Sequence, residues 1–212
     1  MESVRTKGLT PSHHFIGWAY ALLCAWLVRG AVKPVTHAGS AVYAAPAATE
    51  VEWFRWVKPY CNAVEIQTLQ RQQPAPPATV AGSGFHAACF ALAGRIDDAR
   101  RIIDRLPTKS RYAAVGIVFE VGHPVADAGD DRSAGPIMEM VVDYWPNHYM
   151  ALYHAGMAEY MLGQRDLARH NLQAFLQIYH EADGWTSNAK TVLQRLEDRT
   201  APPLHRLPEP GS

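Results

Sequence analysis

A chain of 212 residues, 48% hydrophobic and 19% charged, carries enough apolar side chain for one ordinary globular core plus extra segments. Its 20 Lys+Arg balance its 20 Asp+Glu, so no basic stripe or acidic tail singles out nucleic acid as the partner.

The first element in chain order is the uncharged run FIGWAYALLCAWLV, residues 15–28. Arg5 and Lys7 precede it; Arg29 and Lys33 follow. Counted from Leu9 to Val28, the neutral stretch is long enough to span a bilayer as a helix. Arg29 directly behind it, and the distance to the nearest small-x-small site at Ala45–Ala47, favour an uncleaved anchor over residues 1–33. A cleaved signal segment and a buried soluble helix are the alternatives. The basic residues on the two flanks nearly tie and do not set orientation. The working expectation is a single N-terminal membrane anchor with the domain on the extracytoplasmic side.

Residues 34–48, PVTHAGSAVYAAPAA, are small and nearly uncharged and suit a linker. The domain then occupies 49–199. Thr49–Arg71 is expected to be helical in two pieces divided by Pro59, since an interior proline removes a helix hydrogen bond. Asn62 and Glu65 have the spacing of a capping box opening the second piece. The stretch 72–84, QQPAPPATVAGSG, is rich enough in proline and glycine to argue against regular helix. From Val80 onward helix follows helix, without strand alternation. Residues 200–212 are Pro-rich and read as a disordered tail.

Self-similarity organises this helical part. Gly94 is followed by Ala99 and Ile103, and Gly163 by Ala168 and Leu172. Midway between them Gly129 is followed by Ala134 and Met138. Seven residues before each glycine stands another small residue: Ala87, Gly122 and Gly156. This register resembles the tetratricopeptide repeat, a helix-turn-helix of 34 residues with small side chains where its helices cross. The resemblance implies an all-α solenoid of three degenerate repeats, about 80–114, 115–148 and 149–182, with irregular N-terminal helices before them. Residues 185–199 would close it, with Trp185, Ala189, Val192, Leu193 and Leu196 as the buried stripe. Phe90 stands at the family's aromatic position, where the third unit has Glu159 beside Tyr160. The second unit departs further, HPVADAGDD suggesting a proline-broken end to its first helix.

In that family the first helix of each unit lines a concave groove that takes a partner's peptide or helix. Carried over by phase, the groove residues are Phe119, His123, Met150, Tyr153, Met157, Tyr160 and Met161, with Gly84, Ala88 and Ala91 from the first unit. Methionine repacks around different partners and tyrosine adds a polar tip. The same stripe is equally what a helix needs to pack against its neighbours. The expected role is a membrane-tethered adaptor for a protein or peptide, with no cofactor.

Two further constellations stay open. In the loop 122–131, His123, Asp127, Asp130 and Asp131 could gather a cation, and a metal- or small-ligand-binding domain there is the alternative function; Asp130 and Asp131 equally suit capping of the next helix. Cys61 and Cys89 fit a disulfide, two buried thiols, or, with Glu65 and His86, ligands on two facing helices. No GxSxG elbow, phosphate loop or dinucleotide fingerprint occurs, so no enzyme is indicated.

Overall fold

The computed structural model describes residues 49–72 and 75–198. The expected anchor, linker and C-terminal tail lie outside the described residues, among which no helix is long and apolar enough to cross a membrane.

Helix α1 (Glu50–Val57) opens on a reciprocal box: the Glu52 N–H donates to Thr49 Oγ1 at 3.2 Å and the Thr49 N–H to Glu52 Oε2 at 3.0 Å. Pro59 ends it in a 3₁₀ turn over Lys58–Tyr60. Asn62 then accepts from the Val64 and Glu65 N–H groups, each at 3.0 Å, ahead of α2 (Ile66–Gln72). Glu65 answers through the Asn62 side-chain amide, not its backbone, so this second box is only half formed. Trp53, Phe54 and Val57 are buried, Phe54 stacking on Phe85 of α3 (Val80–Leu92) at 5.0 Å. A disulfide joins Cys61 to Cys89 in the same helix.

Helix α3 corrects the expectation that 72–84 excludes regular helix. Thr79 caps it by accepting from the Gly82 N–H at 2.9 Å, and Val80–Gly84 are its first residues. The prolines lie upstream of the cap. Gly84 is a packing residue: a Cβ there would stand 2.8 Å from the Ala114 carbonyl oxygen of the neighbouring helix.

Three hairpins follow. Helix α3 pairs with α4 (Ile96–Asp104), α5 (Thr108–Asp127) with α6 (Asp131–Tyr144), and α7 (Tyr149–Met161) with α8 (Arg165–Ile178). Their turns are the same object built three times. Gly94, Gly129 and Gly163 have φ of 71°, 74° and 79°, and no described non-glycine residue has positive φ. In each turn the glycine N–H donates to the carbonyl three back: Ala91, Ala126 and Tyr160. The next N–H donates five back: Arg95 to Phe90, Asp130 to Val125, Gln164 to Glu159, at 2.8–3.2 Å. That pair of bonds is the Schellman closure, which satisfies the last carbonyls of a helix and needs a left-handed residue.

The small residues do what the register implies. Ala87, Ala99, Ala134 and Ala168 are at most 1% exposed. A Cβ on Gly122 would stand 2.7 Å from Ile137 Cγ2, and one on Gly156 would stand 2.6 Å from Leu172 Cγ. These contacts leave no room for a methyl group, so the helices of units two and three cross at these glycines.

Helix α5 corrects the notion of a proline-broken end. It runs unbroken through Pro124 to Asp127 and is 20 residues long, against 13 for α3 and α7. Pro124 sits in the last turn, and the carbonyl deprived of its N–H partner belongs to exposed Glu120, where water can satisfy it. The extra length is N-terminal, so the nominal boundary at 114/115 falls inside α5.

Helix α9 (Gly184–Glu197) completes the all-helical, tetratricopeptide-like stack. Asp183 caps its start by accepting from the Thr186 N–H at 3.1 Å. Its last carbonyls are held from α8: Arg165 donates to the Leu196 oxygen at 2.8 Å and Arg169 to the same oxygen at 3.3 Å. Ala189, Val192 and Leu196 are buried beneath it, with Trp185 and Leu193 partly covered.

Candidate functional site

The first helices of the three hairpins share one side of the stack, yet most residues assigned to an open groove are covered. Phe119 is 3% exposed, Tyr153 3%, Met157 5% and Tyr160 6%. Only His123, Met150 and Met161 keep partial exposure. Phe119 is covered by the rings of His123 and His148, whereas on α7 the cause is helix α9. Trp185 brings its ring within 4.5 Å of Tyr153, and the Asn188 amide donates to the Tyr153 hydroxyl at 3.3 Å. Every residue from Ala151 to Tyr160 is buried between α6, α8 and α9. The apolar stripe of α7 is therefore core in this structure, and the expectation of an open face at Phe119, Tyr153, Met157 and Tyr160 is corrected on that ground.

What remains accessible is an aromatic edge that crosses units two and three. Tyr112 lies 3.8 Å from Trp145 between ring centres, Trp145 4.4 Å from His148, and Tyr149 4.9 Å from Tyr179. Tyr112 is 50% and Tyr149 41% exposed. The edge exists because the loop into α7 turns at His148, whose Nδ1 accepts the Ala151 N–H at 3.2 Å as the N-cap. Burial lowers the His148 pKa, which keeps that nitrogen available as an acceptor. Sequence reasoning missed this edge because its members come from four helix ends with no common period.

Beside it is a cluster of titratable groups. His123 and Asp127 stand one turn apart on α5, with His123 Nε2 3.4 Å from Asp127 Oδ1. His154 of α7 faces them, its Nε2 3.9 Å from the same oxygen. The two imidazoles meet edge to face at 4.8 Å. Burial, reinforced by the neighbouring His123 and His148, pushes the His154 pKa down to about 3, so this ring is neutral at pH 7. His154 was invisible as a partner in the sequence, 27 residues beyond Asp127 and in the next repeat. Asp130 belongs elsewhere: it caps α6, accepting from the Ser133 N–H at 3.2 Å, and Asp131 is the first residue of that helix. The Cys61/Glu65/His86/Cys89 ligand set is also absent, because both sulfurs are in the disulfide and His86 packs edge-on against Trp53 and Phe90.

The third unit also buries a carboxyl. Glu159, at the family's aromatic position, is 1% exposed, and the Asn171 amide donates to both its oxygens at 2.7 and 2.9 Å. In register, Glu159 and Asn171 stand where unit one has Phe90 and Ile102 and unit two has Val125 and Ile137. A polar pair has replaced an apolar pair. Burial raises the Glu159 pKa to about 7, the Asn171 bond opposing the rise and Glu139 adding to it. A folded-state pKa above the unfolded value means the folded chain prefers the protonated acid. The associated stability is full below pH 4.5 and is lost as pH rises through about 7. Stability should therefore fall by on the order of 2–3 kcal/mol between pH 5 and pH 8. Glu159→Gln keeps an acceptor for Asn171 and cannot ionise. Urea titrations should find the variant level with wild type at pH 5 and more stable at pH 8; parallel pH profiles would refute this assignment.

Comparison with known proteins agrees with the geometry where it reaches. The tetratricopeptide repeat family model matches residues 150–181, which comprise nearly all of the α7/α8 hairpin. No curated protein and no solved structure matches the chain. Residues 150–181 are thus a tetratricopeptide-type repeat, and the two preceding hairpins share its turn geometry. Repeats of this class generally serve as scaffolds for protein partners.

Proposed function

We propose that this chain is a membrane-tethered adaptor that holds a peptide or helix of a partner protein against the aromatic edge of its repeat stack. The observation that carries the reading is the threefold Schellman hairpin, in register with a tetratricopeptide-type repeat. Such a stack is a rigid platform whose outer side chains are free to vary with the partner. Tyr112, Trp145, Tyr149 and Tyr179 offer large, stiff, amphipathic rings, the side chains most enriched at protein interfaces. Met150, next to Tyr149 on α7, is partly exposed beside them. The apolar run at 15–28 supplies the tether, and the disulfide supports an oxidising, extracytoplasmic setting for the domain.

Because Tyr153 and Met157 are core residues, placing a charge on either measures stability and not binding. The suitable variant is Tyr112→Glu/Tyr149→Glu, at the exposed rings. Full-length wild type and variant, purified from native membranes in mild detergent, should capture different protein sets by mass spectrometry. The expected result is selective loss of one or a few proteins from the variant at unchanged helix content by circular dichroism. Identical captured sets would remove the edge from consideration as the contact surface.

A further inference from the structure

We infer that His123, Asp127 and His154 form a binding site for one divalent transition cation of the zinc class, at the junction of the second and third repeats. One ligand atom from each residue lies within 4.8 Å of the other two, the one such group of three among the described residues. His123 and Asp127 are four apart on α5, so both project from one face; His154 closes the set from α7.

The independent observation is a polar deficit. His154 is 8% exposed, and its Nε2 has no hydrogen-bond partner. The same holds for His123 Nε2, a buried atom on a ring that is otherwise partly exposed. Buried ring nitrogens without partners are costly and rare in folded proteins. Here two of them face a single carboxylate, at 3.4 and 3.9 Å. The first distance is too long for a good hydrogen bond and the second is longer still. Both approach the separation of about 3.3–3.5 Å between neighbouring ligands around a tetrahedral zinc ion. A cation would satisfy both nitrogens and the carboxylate at once.

The donor set chooses the metal. Two imidazoles suit zinc, copper, nickel and iron, while calcium and magnesium require mostly oxygen. The surroundings hold the rings in place. His123 stacks on Phe119 at 4.9 Å, and His154 lies edge-on to Trp185 at 5.2 Å. His148 is nearby but is committed through Nδ1 to the cap of α7. The Asp127 side chain is 55% exposed, so the site is reached from its carboxylate side. Three protein ligands leave at least one position for water or a donor from outside. The site is independent of whether the aromatic edge binds a partner, since it uses none of the four rings assigned to that edge.

The test uses the full chain in detergent, stripped with a chelator and titrated with zinc chloride by calorimetry. One Zn²⁺ per chain is expected, with affinity reduced at least about tenfold in Asp127→Asn and in His154→Gln. His170→Ala, at an exposed histidine on α8, should bind as wild type does. Zinc should raise the melting temperature of wild type and not of Asp127→Asn. Asp127 is largely exposed, so its variant keeps the experiment decisive if His154→Gln fails to fold. Cobalt should give visible d–d bands that vanish in the same variants. No uptake, uptake undiminished by Asp127→Asn, or a preference for Ca²⁺ or Mg²⁺ over Zn²⁺ would each overturn the site.

Discussion

Gly156→Leu will open the third hairpin at a cost of at least about 3 kcal/mol. A Cβ on Gly156 alone would lie 2.6 Å from Leu172 Cγ, 2.8 Å from its Cδ2 and 3.2 Å from its backbone nitrogen. The first two atoms belong to a side chain that is itself fully buried, and the third cannot yield without moving α8. Leucine adds three more carbons in the same direction. Its better helix propensity, about 1 kcal/mol over glycine, offsets only part of this. Gly156→Ala should show the smaller overpacking cost. A double-mutant cycle with Leu172→Ala should show coupling, since the lost volume is where the added methyl would go. Gly163 is the control with a different cause. Nothing lies within 4 Å of its absent Cβ, yet its φ of 79° disfavours any L side chain. Gly163→Ala should cost about 1–2 kcal/mol and show no coupling to Leu172→Ala. Denaturant melts of the single variants and of the two doubles with Leu172→Ala decide the matter. Equal stability of Gly156→Leu and wild type would mean that α7 and α8 do not cross where the sequence register puts them.

The same contrast explains what was legible in the sequence and what was not. A left-handed turn and a tight helix crossing each admit few residue types, so Gly94, Gly129 and Gly163 and their small companions stood out at a fixed spacing. Pro59 and the Asp130 cap were legible for a similar reason: the residue type itself imposes the local geometry. The binding face was not. A stripe of Met and Tyr on α7 reports that this side of the helix is covered, and says nothing of what covers it. Here Trp185 and Asn188, over thirty residues beyond Tyr153, do so. The compensated pair Glu159 and Asn171 was half visible. Glutamate at an aromatic position stands out in the sequence, but nothing there ties it to Asn171, 12 residues on in the next helix. His154 joined His123 and Asp127 only through the packing of two successive repeats, a relation without any sequence period. Pro124 misled because its cost depends on whether the deprived carbonyl is exposed, and a sequence does not state that.

Loss of the Cys61–Cys89 bridge should cost about 3–4 kcal/mol, from the chain entropy of a 28-residue loop. Double replacement, Cys61→Ala/Cys89→Ala, should lower the melting temperature by roughly 10 °C. Reducing the wild type should lower it by a similar amount, because both treatments free the same loop. The loss should be largest where the repeat stack ends. Without the bridge, α1 and α2 are held by Trp53, Phe54, Val57, Ile66 and Leu69, by the Phe54–Phe85 stack, and by the Thr79 hydroxyl on Glu50 at 2.7 Å. These contacts are apolar or exposed, and the described residues 75–79 ahead of α3 add no regular helix. Limited proteolysis of the reduced chain should therefore cut first between Gln72 and Thr79 and leave the three hairpins intact. A count of reactive thiols in denaturant, without reductant, should find one of the three cysteines, Cys24. Three reactive thiols would show the pair to be reduced, and with it the support for an oxidising compartment would fall. One reactive thiol with no loss of stability on reduction would keep the compartment and mean that burial of Trp53 and Phe54 suffices to fix the N-terminal helices to α3.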